Sequence, residues 1–351
     1  MSDVPGVRPI ELSNTAFEGL NNAYLLEGEP TTLIDTGVAV PDTREELRAR
    51  LADRDLEFAD VDQVLLTHWH ADHAGLAGEI QAAGDAVVRA HPADAPLIEQ
   101  RPDAMADSER RRRELFEQWG MPAEQREELL AFFEATSGTR GDPPEVTPLE
   151  DGETLEAGRH GLEAVHLPGH AAGLCGFVLE WPVPGYGGPG RSPPPRQLFC
   201  GDAVLPYYTP NVGGADTRVG RPLATYLDTL ADVVEAGYAR AWPGHRGPIV
   251  DPAGRAGDII AHHRERTVRV LGVLREHGPC DAWTTGAHLF GSLSNIHILH
   301  GPGEAAAHLE HLAEAGVVSE GPTYELLEPE PDLDALFRGV PGDEDRPDPD
   351  G

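Results

Sequence analysis

The sequence predicts an α/β fold followed by a smaller helical unit, and three observations carry that prediction. Short apolar runs alternate with helical stretches up to about residue 250. Several of those runs end on a histidine or an aspartate. Beyond Asp258 the strand signals give way to helices and one closing hairpin. With 351 residues and 40% hydrophobic content the chain can bury a large core, which excludes disorder throughout. One large domain over residues 1–257 and a small one over 258–327 are expected.

Taken in order, Ala23-Tyr24-Leu25-Leu26 and Thr31 to Gly37 read as antiparallel strands joined by Glu27-Gly28-Glu29-Pro30. Asp35 ends the second strand, where an acid either caps the next segment or orients a metal-bound histidine. Thr43 to Ala52 has helical spacing. Val64-Leu65-Leu66 reads as a buried strand, and Ala74 to Ile80 as a helix rich in small residues. Between them, Thr67-His68-Trp69-His70-Ala71-Asp72-His73 crowds four metal-ligating side chains at the strand's carboxyl end. Histidines one residue apart on an extended turn can face one ion, while Asp72 and His73 at the helix entrance can face a second beside it.

Ala86 to His91 is the next strand, and a charged helical insertion follows over about residues 95–140. Its four adjacent arginines, Arg110 to Arg113, point around a helix rather than to one side, which favours a solvated surface over an anion-binding lip. Trp119, Met121, Phe132 and Phe133 read as packing residues, and the insertion is expected to cover the site. Leu162 to Leu167 is a strand leading into Pro168-Gly169-His170, and Gly176 to Glu180 continues as another. Residues 182–196, rich in proline and glycine, are expected to form a mobile loop. Gln197 to Asp202 is a strand closed by an acid, Thr225 to Glu235 a helix, and Ala239 to His245 a short strand broken by Pro-Gly and closed by a histidine. From Asp258 a long helix presents His263, Thr267, Val270, Leu271 and Leu274 along one face. A short helix around Trp283 to Leu289, a helix from Gly303 to Ala315 and a hairpin within Gly316 to Leu326 complete the outline of a winged helix. Residues 328–351, acidic and proline-rich, are expected to be disordered.

The formal charge of -33 exceeds what solubility requires, and the chain has no lysine. Such a surface suits a cytoplasm of concentrated salt, where short screening lengths make self-repulsion tolerable. A GC-rich genome or an acidic partner-binding surface would be the alternatives. Cys175, Cys200 and Cys280 are too widely spaced for a thiolate site and read as small buried hydrophobes. No apolar run approaches the length of a membrane span, so a soluble cytoplasmic protein without membrane partners is expected.

His68, His70, Asp72, His73, His170, Asp202 and His245 together supply what a dinuclear site needs, with Asp202 the natural bridge. Two ions lower the pKa of a bridging water enough to make hydroxide at neutral pH and polarise the oxygen under attack. No serine or cysteine nucleophile is needed.

The ordered series Asp35, His68 to His73, His170, Asp202 and His245 resembles the metallo-beta-lactamase superfamily over about residues 15–250. The resemblance implies a four-layer αββα sandwich with the metals at one end. It further implies that His68, His70 and His170 hold one ion and that Asp72, His73 and His245 hold the other. Asp202 would bridge them, Asp72 would also orient the catalytic water, and Asp35 would act through a histidine. Among the groups of this superfamily the chain looks most like the glyoxalase II-like hydrolases with a C-terminal winged helix. His70 replaces the glutamate of the flavodiiron oxygen reductases. The presence of both His73 and His245 fits the mononuclear persulfide dioxygenases less well, and the C-terminal part does not resemble the glutathione-binding domain of glyoxalase II. The expected activity is hydrolysis of a thioester or small acyl ester by two zinc ions, with Tyr207 and Tyr208 as candidate hydrogen-bond donors to the developing oxyanion. A single-strand endoribonuclease is the alternative. A nucleic-acid-binding module on a spent metal fold is disfavoured because no ligand is missing and the C-terminal part is acidic.

Overall fold

The computed structural model describes residues 4–13, 20–181 and 195–337. Six strands, β1 (Val7–Leu12), β2 (Asn21–Leu26), β3 (Thr32–Ile34), β4 (Gln63–Leu65), β5 (Val87–Ala90) and β6 (Val146–Pro148), form one sheet in that order. The first two pairings are antiparallel and the rest parallel. Five more, β7 (Thr154–Ala157), β8 (His160–His166), β9 (Cys175–Glu180), β10 (Arg196–Gly201) and β11 (Arg240–Pro243), form a second sheet, each beside the next in sequence. Among the helices, α1 (Pro41–Ala52), α2 (Ala71–Ala74) and α3 (Ala77–Gly84) belong to the first half. The insertion contributes α4 (Ala95–Ile98), α5 (Pro102–Gln118) and α6 (Ala123–Thr136). Then come α7 (Pro222–Ala236), α8 (Pro252–His277), α9 (Ala282–Phe290), α10 (His297–Glu314) and α11 (Leu333–Leu336).

The layering follows from the two-residue period of a strand buried on both faces. Ala23 and Leu25 of β2, with Val64 of β4, meet Leu47, Leu51 and Ile80 of α1 and α3. Tyr24, Leu26 and Leu65 point the other way, against Phe177, Leu179 and Phe199 of the second sheet. Val178 and Leu198 in turn face Leu223, Tyr226 and Leu230 of α7 and Ile259 of α8. The result is helix, sheet, sheet, helix, the αββα sandwich.

The long C-terminal helix begins earlier than expected. The long helix starts at Pro252 rather than Asp258, because Asp251 caps it by accepting from the Gly254 amide and proline suits its first turn. Its first half packs on the sandwich through Ala256, Ile259 and Ile260. Its second half, through Val270, Leu271 and Leu274, shares a core with α9, α10 and the insertion residues Phe116, Trp119, Met121 and Leu129. Residue 258 is therefore not a break in packing. The insertion serves as the partner of the C-terminal helices, and the packing roles expected of Trp119 and Met121 hold, with Phe132 and Phe133 at its edge. Beyond α10 the expected hairpin is reduced to single antiparallel bridges, Cys280 with Tyr324 and Val318 with Leu326. The tail expected to be disordered from residue 328 is ordered at its start. Asp332 caps α11, and Phe337, 2% exposed, is buried among residues of the sandwich. The rest of that tail, residues 338–351, and most of the expected loop, residues 182–194, lie outside the described residues. All three cysteines are buried and unbridged, as expected.

Candidate metal centre

Every predicted ligand lies at the same end of the sandwich, in the loops that leave the strands. His68 and His70 follow β4, Asp72 and His73 open α2, and His170 lies between β8 and β9. Asp202 follows β10, where the register against β11 shifts between Phe199 and Gly201, and His245 follows β11. A residue larger than glycine does not fit at Gly244, since a Cβ there would strike the Asp202 carboxylate and approach His73 to 2.5 Å.

Outer hydrogen bonds fix four imidazole tautomers. Asp35, buried and at φ 57°, accepts from the Thr67 amide and hydroxyl, both at 2.8 Å, and from His73 Nδ1 at 2.9 Å. Because the Thr67 hydroxyl donates to Asp35, its oxygen accepts from His68 Nδ1 at 3.0 Å. His70 Nε2 donates to the Ala215 carbonyl at 3.1 Å, and His170 Nδ1 to the Asn211 carbonyl at 3.0 Å. In the triad of His68, His70 and His170 the outward nitrogens donate, so the lone pairs turn inward. His70 Nδ1 lies 2.9 Å from His68 Nε2 and 3.0 Å from His170 Nε2, three acceptors facing one another with no proton between them. A divalent transition metal, which imidazole nitrogens suit, would satisfy that arrangement.

On the other side, His245 Nε2 lies 3.5 Å from Asp72 Oδ2 and 3.4 Å from Asp202 Oδ2, while His73 Nε2 lies 3.5 Å from Asp202 Oδ1. His73 Nε2 and Asp202 Oδ1 are buried without hydrogen-bond partners, which again fits a metal. Asp202 stands between the groups, 3.7 Å from His170 Nε2. Asp35 thus holds the His73 ring and the Thr67 turn rather than capping α1, and the seven predicted ligands converge, with His68, His70 and His170 in one group, Asp72, His73 and His245 in another, and Asp202 grouped with His68 and His73.

The two sets differ in charge. Burial and the neighbouring His73 and His70 hold His68 well below the ordinary histidine range, and burial and His170 bring His70 down to about 4. Burial alone would raise the Asp202 carboxyl, but His245 and His73 keep it well below the usual carboxylate range. Burial likewise opposes a proton on His245, yet Asp202 lifts it to about 9. His68 and His70 are therefore held neutral in a set made only of imidazoles, whereas the other set mixes imidazoles with a carboxylate.

Residues 16–180 match the sequence profile described as Metallo-beta-lactamase superfamily. A metallo-beta-lactamase family protein of Thermus thermophilus, of known structure, is 32% identical; the match covers 93% of this chain and 99% of that one, with a TM-score of 0.76. The chain belongs to the metallo-beta-lactamase superfamily. A probable metallo-hydrolase of Bacillus subtilis is 29% identical over 84% of this chain and 89% of its own length. An atrochrysone carboxyl ACP thioesterase of Aspergillus novofumigatus is 25% identical over 74% of this chain and 59% of its own length. The protein is accordingly a hydrolase of the metallo-beta-lactamase fold with a divalent-metal site.

Sequence reasoning missed the residues that brace this metallo-beta-lactamase site. Asn21 donates to Asp72 Oδ2 at 3.2 Å. Asp94 accepts from the amides of Trp69 and Gly173, and Asp216 from the Trp69 indole and the Ala172 amide, with Arg218 joining both acids at 2.6 Å. That triad ties the His68 to His73 loop to the His170 loop. No local motif marks these residues. Of the candidate oxyanion donors, Tyr207 is 79% exposed, and the Tyr208 carbonyl is held by Arg255 at 3.0 Å.

Proposed function

We propose that this protein is a dinuclear zinc hydrolase acting on a thioester or a similar small acyl ester. The observation that supports this most is the convergence of two ligand sets on either side of Asp202. Two zinc ions, when bound, would supply Lewis acidity toward an acyl oxygen and hydroxide at neutral pH. His68, His70 and His170 would hold one ion, Asp72, His73 and His245 the other, and Asp202 both. Asp72, its Oδ2 fixed by Asn21, would orient the attacking water through a hydrogen bond. Tyr207 and Tyr208 sit in a turn fastened by Arg255 to the carbonyls of Leu205 and Tyr208, close enough in sequence to Asp202 to serve the acyl oxygen. Relatives named as ACP thioesterases support the thioester class. The reading includes a winged-helix role for α8 to α10, a cytoplasmic location and adaptation to concentrated salt.

The arginine run argues against RNA as substrate. Arg110 pairs with Asp107 and Arg113 with Glu109, Arg111 donates inward to the Thr217 carbonyl, and Arg112 stacks over Phe133 at 4.6 Å. None of the four offers a free track for phosphates. The test is a panel of thioesters, lactones, beta-lactams and short RNA with the zinc-loaded protein, with and without chelator. Chelator-sensitive thioester hydrolysis that survives Arg110→Ser with Arg113→Ser is expected. Efficient RNA cleavage without thioester hydrolysis would overturn the reading.

A further inference from the structure

The loop after β10 and before α7 holds both His70 and His170 from outside, and it is itself held by the C-terminal helices. The Asn211 carbonyl accepts from His170 Nδ1, and the Ala215 carbonyl accepts from His70 Nε2. Asn211 links the two carbonyls, because its Oδ1 accepts from the Ala215 amide at 2.8 Å and closes the turn between them. Its Nδ2 then reaches α10, donating to the His300 carbonyl at 3.1 Å and to Glu304 Oε2 at 3.3 Å. Glu304 is in turn paired with Arg266 of α8 at 2.5 Å. The backbones touch at the same place: a Cβ at Gly303 would strike Gly214, and one at Gly213 would come within 2.5 Å of the Gly303 carbonyl oxygen. One side chain thus spans the outer face of the imidazole triad and the packing surface of the C-terminal unit.

We infer that Asn211 is a positioning residue through which α10 sets the geometry of the His68, His70 and His170 metal set. The physical reason is that a metal-bound imidazole needs its far nitrogen fixed, and both far nitrogens here depend on carbonyls whose spacing Asn211 sets. On the other side of the centre, His73 is oriented by Asp35 and Asp72 is held by Asn21, and neither brace belongs to this loop. Losing Asn211 therefore affects one set and spares the other. A second consequence is that the C-terminal unit contributes to metal binding at this centre although none of the seven predicted ligands lies in it.

The inference rests on the reading that the triad binds a metal, and the experiment separates the two. Zinc affinity is measured by chelator competition, and the Co(II)-substituted protein is followed by its absorption spectrum, for the parent chain, His70→Ala, Asn211→Ala and Asn211→Asp. His70→Ala must lose the triad's metal equivalent; if it binds as the parent does, the triad reading itself falls. Given that loss, Asn211→Ala is expected to weaken the triad's zinc by about 10–100-fold and to change its Co(II) spectrum, with the other equivalent unchanged. Asn211→Asp keeps the acceptor for the Ala215 amide but loses the donor to α10 and places a carboxylate against Glu304. It isolates the α10 link, serves if the alanine chain does not fold, and is expected to weaken the same equivalent. Parent-like affinity and spectra in the folded Asn211 variants, or equal loss of both equivalents, would overturn the inference.

Discussion

Asp35 and Asp202 are both buried carboxylates near His73, but they differ in what they touch. Asp35 reaches the centre only through the His73 ring and the Thr67 turn, whereas Asp202 lies within 3.7 Å of His73, His170 and His245. Asp202→Ala should therefore abolish binding of both metals, while Asp35→Ala should lower affinity by about 10–100-fold and leave measurable metal, as elemental analysis after dialysis can report. Equal losses would mean the two roles are misassigned. The ligands were legible because they are dense and ordered along the chain. Asn21, Asp94 and Asp216 were not, because each acts on a backbone or side-chain atom far away in sequence, and an isolated Asn or Asp in a loop has many uses. For Asp35 the sequence left a cap and an orienting role open; in the fold its carboxylate meets Thr67 and His73, contacts far away in sequence.

The strands with both faces buried were easy to recognise as continuous apolar runs, but β1, β6 and β7 escaped notice because they alternate or carry charge at sheet edges. At this scale the insertion and the C-terminal helices are one packing unit. Leu129 of α6, fully buried in their shared core, should cost about 2–5 kcal/mol when replaced by alanine, measured by urea unfolding. The exposed pairs of Arg110 and Arg113 should cost no more than about 1 kcal/mol when both are changed to serine. The same unit carries an acid-sensitive element. His263 of α8 is fully buried, hydrogen-bonded to His308 at 3.2 Å, and burial followed by His262 and Arg266 brings its pKa from 6.5 down to about 3. Between those values the unfolded chain takes a proton that the folded one refuses, so stability is complete above pH 6.5 and declines as the pH falls. Melting temperature should drop between pH 7 and pH 5, and a flat profile would remove this element from the account.

A net charge of -33 on 351 residues makes the whole molecule repel itself, and added salt shortens the range of that repulsion. Melting temperature is expected to rise steeply from low to molar potassium chloride; if it is flat, the acidity requires a partner rather than a salty solvent. The sandwich itself was legible only through the family resemblance, since the alternation of elements indicates α/β and does not say which strands share a sheet. The sheets divide the predicted ligands along the chain: the loops of the first supply His68, His70, Asp72 and His73, those of the second His170, Asp202 and His245. A chain leaving the ribosome therefore exposes its imidazole-rich loop long before the residues that complete either set of ligands. The His68, His70 and His170 group is complete in sequence only at His170 and the Asp72, His73 and His245 group only at His245, so neither can close before strands of the second sheet have joined the first.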